Sequence, residues 1–186
     1  MNPRKVLLLT ASPDPEGNTA VMAKEFAEAA SARGAVVTRY DMATVSGEGC
    51  RACMACRTVS DHCVVEDGVG EVLRAFIDTD VLVMAAPVWF LEFPCSIRRF
   101  VERWHALLTA AFESRLPPGK KAVLLISQGG AEGEFKELPA RYVEMLGWLG
   151  VADIQIVRHC NAEECPVHER GEILDDVRDA AVHALG

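Results

Sequence analysis

The sequence predicts an α/β fold, a three-layer sandwich in which one five-stranded parallel sheet, ordered 2-1-3-4-5, lies between two layers of helices. Three observations lead there. Short apolar runs alternate with amphipathic stretches along the whole chain, the signature of a doubly wound sheet. The runs VLLLT, VLVMAAP and AVLLIS are apolar on successive residues, so they hide both faces, as parallel strands beneath helices do. Each run is only strand length and is followed by turn-forming residues. In this strand order a ligand sits beyond the carboxyl ends of the strands, where the order reverses.

The strands are read over residues 5–10, 35–40, 80–86, 121–127 and 153–159. Helices follow from 3.6-residue spacing over 18–33, 68–79, 138–149 and 172–185. The clearest amphipathic stretch is PCSIRRFVERWHALLTAAF, where Ile97, Phe100, Val101, Trp104, Leu107, Leu108 and Ala111 make one apolar stripe. Pro94 suits the first turn of that helix, and Pro139 the first turn of the next. An insert carrying several cysteines separates strand two from the following helix. No repeat or linker divides the chain, so residues 1–186 read as a single domain.

Composition excludes several function classes. The chain has 186 residues, half of them hydrophobic, and a net charge of −8. An acidic surface lacks the basic face that nucleic acid or an anionic membrane requires. The longest apolar run, residues 81–91, is about half the ~20 residues of a membrane-spanning helix. The N-terminal apolar run is short and ends in Ser-Pro-Asp-Pro, which reads as a first strand and not as an export signal. A cytoplasmic, reducing setting is therefore expected. There an odd and clustered set of seven cysteines speaks for metal or redox chemistry over disulfides.

The loop after strand one, TASPDPEGNTA, lacks the fingerprints of dinucleotide and nucleoside triphosphate sites. It offers Ser12, Gly17, Asn18 and Thr19 at the start of a helix, whose free N–H groups and dipole suit a phosphate monoester. The bland alternative is a βα turn with Asn18 or Thr19 as cap. Asp14 and Glu16 should face solvent. After strand three, Pro87, Val88, Trp89 and Phe90 could flank a flat ring, or the two aromatics could be plain core. After strand four, Gln128, Gly129 and Gly130 allow close backbone approach to a ligand or simply make a loop. Converging on one sheet edge, the three loops describe a site for a flat ring on a phosphorylated chain.

Four cysteines, Cys50, Cys53, Cys56 and Cys63, fall in the stretch CRACMACRTVSDHC. Three cysteines spaced two residues apart, with a fourth after a short loop, can wrap an iron-sulfur cubane. Zinc, redox thiols and a loop without metal are the competing readings; zinc knuckles usually stand farther apart. His159, Cys160, Cys165 and His168 are also metal-ligand types, without a firm zinc spacing. Cys95 opens a helix, where a thiol pKa falls; a small buried filler is the other reading.

The motifs SPDPEGNTA, CRACMACRTVSDHCVVED, APVWF and SQGG, in this order, resemble the NADPH-dependent FMN reductase group of the flavodoxin-like fold, in particular its iron-sulfur flavoprotein branch. The resemblance implies FMN, with its phosphate on Ser12, Gly17, Asn18 and Thr19. Pro87, Val88, Trp89 and Phe90 would flank the isoalloxazine, and Gln128, Gly129 and Gly130 would meet its polar edge. NAD(P)H would be the electron donor, with no dedicated acid–base residue. A four-iron–four-sulfur cluster would sit on the four cysteines of the insert. A small-molecule or protein electron acceptor and a homodimer or homotetramer complete the expectation. Two rival readings stay open: an iron-sulfur electron carrier, and a flavin-free redox- or metal-sensing module. Ala11 replaces a customary glycine, and Leu91 and Glu92 stand where a small residue is usual. A carboxylate there would oppose an anionic reduced flavin.

Overall fold

A computed structural model describes residues 2–186. Its strands are β1 (Lys5–Thr10), β2 (Val36–Asp41), β3 (Val81–Pro87), β4 (Lys121–Ser127) and β5 (Asp153–His159). All pair in parallel, in the order β2-β1-β3-β4-β5. The helices are α1 (Asn18–Ala32), α2 (Ala55–Thr58), α3 (Gly68–Asp78), α4 (Cys95–Glu102), α5 (Glu137–Trp148) and α6 (Gly171–Leu185). The fold class and strand order are those the sequence predicts, with strand boundaries shifted by at most one residue.

Alternation within the strands builds two cores. Leu7 and Leu9 of β1, Leu82 and Met84 of β3 and Leu124 and Ile126 of β4 pack beneath α3, α4 and α5. Val6 and Leu8, Val81 and Val83, and Val123 and Leu125 face the other way, onto α1 and α6. Each fully buried aliphatic or aromatic side chain contributes roughly 1.5–3 kcal/mol, so both helix layers are strongly held. The edge strand β2 is mostly exposed, which explains its polar VVTRYD sequence.

The fourth amphipathic stretch departs from expectation. The α-helix ends at Glu102 and tightens into a 3-10 segment, Arg103–Leu107. Leu108 then leaves the stripe to bridge Ser114, and Ala111 is exposed. Ile97, Phe100, Val101, Trp104 and Leu107 stay buried, so the apolar spacing is right while the helix is shorter. Pro94 is the N-cap and not a first-turn residue, with extended backbone at φ −50° and ψ 148°. Pro139 lies in the first turn of α5, where its missing N–H costs nothing.

The end of α3 is closed by Lys120. Its ammonium donates to the carbonyls of Phe76 (2.9 Å), Ile77 (2.8 Å) and Thr79. Burial pushes its pKa down, yet a cation on the last carbonyls of a helix satisfies both the orphan acceptors and the dipole.

Candidate functional site

Every loop singled out in the sequence leaves the same, carboxyl edge of the sheet. The turn after β1 is self-contained: the Ser12 hydroxyl accepts from the Asp14 N–H (3.2 Å) and the Asp14 carboxylate from the Glu16 N–H (3.0 Å). Asp14 and Glu16 are exposed, as expected. Gly17 is the N-cap of α1, extended at ψ 162°, and no side chain caps the helix. Ala20 N–H turns back to the Gly17 carbonyl (2.9 Å), while the Asn18 and Thr19 N–H groups have no side-chain cap, so neither Asn18 nor Thr19 acts as an ordinary cap. Thr19 is buried. Asn18 has a further task that sequence alone did not show: its Oδ1 accepts from the Val167 N–H at 2.8 Å, tying the loop after β5 to the start of α1.

The loop after β3 is a tight reverse turn. Val88 N–H donates to the Ser127 carbonyl (2.9 Å), while Trp89 and Glu92 exchange backbone hydrogen bonds of 2.8 and 3.1 Å. The two central residues, Phe90 and Leu91, have φ of +50° and +70°. This is the primed hairpin geometry that normally selects Asn-Gly, here occupied by two bulky apolar residues at a conformational cost. Phe90 is fully exposed, and Trp89 and Leu91 are more than half exposed. The alternative that the aromatics are core is therefore wrong: the turn holds them out over the sheet edge.

Glu92 does not present free charge to that edge. Its Oε2 pairs with Arg98 (2.7 Å) and Arg141 (3.2 Å). Its Oε1 accepts from the Phe93 N–H (2.9 Å) and the Tyr142 hydroxyl (3.3 Å). Burial, and then the Glu92 charge, push the Tyr142 pKa well up, so this hydroxyl remains a donor. Glu92 anchors the turn to α4 and α5.

After β4, the Gln128 side chain is buried and turned into its own loop. Nε2 donates to the carbonyls of Gly130 (3.2 Å), Ala131 (2.9 Å) and Glu134 (3.3 Å), and Oε1 accepts from Arg158 (2.8 Å). Gly129 is exposed and Gly130 half-buried. A Cβ on Gly130 would come within 2.5 Å of the Phe135 ring, so this close approach requires glycine. His159, fully buried, joins this loop to the next. Its Nε2 donates to the Cys165 carbonyl (2.9 Å), leaving Nδ1 to accept from the Ser127 hydroxyl (3.1 Å). Burial lowers its pKa. With both ring nitrogens engaged, His159 is a pin and not a metal ligand, and His168 lies exposed. Cys95 is exposed as well, which rules out the buried-filler reading.

The cysteine insert is a separate site. Cys50, Cys53, Cys56 and Cys63 all line one cavity of about 360 Å³, together with Met54, Val64, Val65, Glu102, Arg103 and His105. The Cys56 thiol is pushed up first by burial and then by the neighbouring Cys63, Cys50 and Cys53. Among the described residues no three His, Cys, Asp or Glu side chains converge tightly enough for a single ion. A single zinc needs all its sulfurs about 2.3 Å from one point, whereas a four-iron cubane holds its four thiolates around a much larger body. The cavity lined by the four cysteines has room for such a body. Ala52 and Met54 adopt left-handed φ of +53° and +59°, which turns the chain around the cavity.

Arginines hold this insert in place. Arg99 donates to the carbonyls of Gly47 (3.0 Å), Met42 (2.7 Å) and Val45 (2.5 Å). Arg115 reaches those of Cys56 (3.0 Å) and Asp61 (2.9 Å). Arg103, only 1% exposed, forms a double ion pair with Asp67 at 2.7 and 2.5 Å. Asp67 also caps α3 through the Gly70 N–H. Burial would raise the Asp67 pKa, but Arg103 and the Gly70 N–H hold it below its ordinary value. Charged residues in a helical pattern usually read as a solvated face, so these tethers were not legible in the sequence.

Comparison with known proteins agrees with this architecture. A family model described as flavodoxin-like fold matches residues 4–184. An FMN-dependent NADH:quinone oxidoreductase of Chromobacterium violaceum is 32% identical over 98 residues, covering 47% of this chain and 48% of that protein. The chain spans about half the length of such curated relatives. An iron-sulfur flavoprotein of Methanocaldococcus jannaschii is 25% identical over 128 residues, 69% of this chain and 65% of that one. Among solved structures, an FMN-dependent NADH-azoreductase of Bacillus anthracis in complex with FMN superposes with a TM-score of 0.78 at 15% identity, covering 98% and 100% of the two chains. An NAD(P)H:quinone oxidoreductase of Methanothermobacter marburgensis does so with a TM-score of 0.79 at 19% identity, over 97% and 95%. By the extent of the family match, the chain belongs to the Flavodoxin_2 family, proteins of flavodoxin-like fold.

Proposed function

We propose that the chain is a single FMN-binding domain acting as an NAD(P)H-dependent oxidoreductase, passing electrons to a small-molecule or protein acceptor. The observation that carries this reading is the convergence at one sheet edge of an uncapped helix start, an outward aromatic turn and a glycine loop. That set suits a phosphate, a flat ring and the ring's polar edge. The relatives named above, two of them FMN-dependent oxidoreductases, support it.

Bound FMN supplies the hydride chemistry, and the protein binds and orients. Ser12, Gly17, Asn18 and Thr19 would hold the phosphate, chiefly through backbone N–H groups, since Asn18 Oδ1 is already engaged. Pro87, Val88, Trp89 and Phe90 would flank the ring. Gly129 and Gly130 would meet its edge, with Gln128 acting from behind by fixing their loop. Because Arg98 and Arg141 neutralise Glu92, its charge does not oppose a reduced, anionic ring. Titrating the protein with FMN should quench flavin fluorescence, and NADH or NADPH should then bleach the bound flavin. An unquenched titration would sink the reading.

The cysteine cavity favours a second function of the same chain, one-electron transfer through a four-iron–four-sulfur cluster held by Cys50, Cys53, Cys56 and Cys63. Anaerobic protein should then contain about four irons and four sulfides per chain; iron-free, yellow protein would leave only the reductase. Among the described residues no helix is long and apolar enough to cross a membrane. The acidic chain is read as cytoplasmic, without nucleic-acid partners. Homodimer or homotetramer formation would cover the exposed Trp89, Phe90 and Leu91.

A further inference from the structure

One side chain in the wall of the cysteine cavity has a donor that the protein itself does not use. Arg103 lines the cavity and is 1% exposed. Its two terminal nitrogens are taken by Asp67, at 2.7 and 2.5 Å, and one of them also approaches the Val65 carbonyl at 3.4 Å. Its Nε is buried and has no hydrogen-bond partner. Buried polar groups are almost always paired; Arg57, Arg99 and Arg158 also leave their Nε unpartnered, but of these four arginines only Arg103 lines the cysteine cavity, where whatever fills the space would supply the acceptor.

The other charged groups of the wall cannot take this part. Arg51 is largely exposed and pairs with Glu48 at 3.5 Å. Glu102 is exposed and is an acid, not a cation. His105 is held toward its neutral form, first by burial and then by the nearby Arg57. Arg103 is therefore the buried cation of the cavity. A cluster bound by four thiolates is an anion, and one-electron reduction adds a further negative charge without making or breaking a bond. A fixed guanidinium whose free N–H reaches sulfur stabilises the reduced form more than the oxidised one. Hydrogen bonds to sulfur and local charge are the protein's main levers on cluster potential.

We propose that Arg103 tunes the electron affinity of the cluster by donating its Nε–H to a cluster or cysteinyl sulfur, while Asp67 holds the guanidinium in place. The proposal rests on the cluster reading above. It predicts that Arg103→Lys, which keeps a cation for Asp67 but loses the fixed Nε–H, lowers the midpoint potential of the cluster that the variant retains. The flavin midpoint should stay as it is.

The test is a dithionite titration of anaerobically reconstituted native and Arg103→Lys proteins, followed by electron paramagnetic resonance. A variant with full iron content and the native midpoint overturns the proposal. Nuclear-coupling spectroscopy on native protein with 15N-arginine provides a test that needs no variant: the reduced cluster should couple to one arginine nitrogen and its exchangeable proton. A cluster without that coupling overturns the assignment to Arg103 while leaving the cluster reading intact. Native protein that binds no iron and sulfide under these conditions overturns both.

Discussion

The sheet-edge loops and the cysteine insert differ in what ties them to the body of the fold: side chains support both, but only the first also hang on the strand ladder. The edge loops hang from the strands by backbone hydrogen bonds: Val88 to Ser127, Gln128 to His159, Asn161 to Gly130. The insert, nearly devoid of regular structure, hangs from arginine side chains: Arg99, Arg103 and Arg115 reach its carbonyls or the half-buried Asp67 carboxylate. The first arrangement distributes its strength over the sheet register. The second concentrates it in a few guanidinium groups, so single substitutions should release the insert while sparing the sheet-edge loops.

The sharpest way to break the insert alone is Asp67→Asn, which retains the helix cap but leaves the Arg103 cation buried without its counter-charge. A loss of about 3–5 kcal/mol is expected, read by urea unfolding. The same pair sets an acid limit. The Asp67 pKa lies below its ordinary 3.8, so its stabilisation is complete above that value and disappears as pH falls through the folded pKa. Arg99→Met should cost about 2–3 kcal/mol through three lost charge-assisted hydrogen bonds. It should speed proteolysis within residues 42–49 while FMN affinity holds. Equal loss of FMN binding would show that the two regions are not independent.

On the flavin side, Asn18→Asp places a charge beside the phosphate while keeping an acceptor for Val167. FMN binding should weaken about tenfold, or about 1.4 kcal/mol, with the insert unaffected. The smallest effect has the opposite sign. Phe90→Asn suits the left-handed backbone better and should stabilise the fold by about 1 kcal/mol, while weakening FMN binding through loss of the ring. Stronger binding would mean that Phe90 does not stack on the flavin.

This contrast also separates what the sequence could show from what it could not. Apolar runs such as VLLLT and VLVMAAP carry strand positions directly, because burial on both faces leaves little freedom in composition. The edge loops were legible from their place after those strands. The roles of Asn18 and Gln128 as ties within the loops were not, since their partners, Val167 and Arg158, lie far away in the chain. Arg103 sits where the apolar stripe continues as if the helix did, yet the α-helix stops at Glu102 and Arg103 turns inward to a carboxylate from the insert. A buried ion pair leaves no periodic trace, so both the broken helix and the arginine tethers are visible only in three dimensions.

The bond from Asn18 to the Val167 N–H spans 149 residues. The loop after β1 therefore reaches its final form only when the segment after β5, far along the chain, has docked. Contacts of such long separation form late because the chain between them must be ordered first. On the proposed reading, FMN loading thus waits for that docking, and a chain without the segment after β5 has no finished site to load.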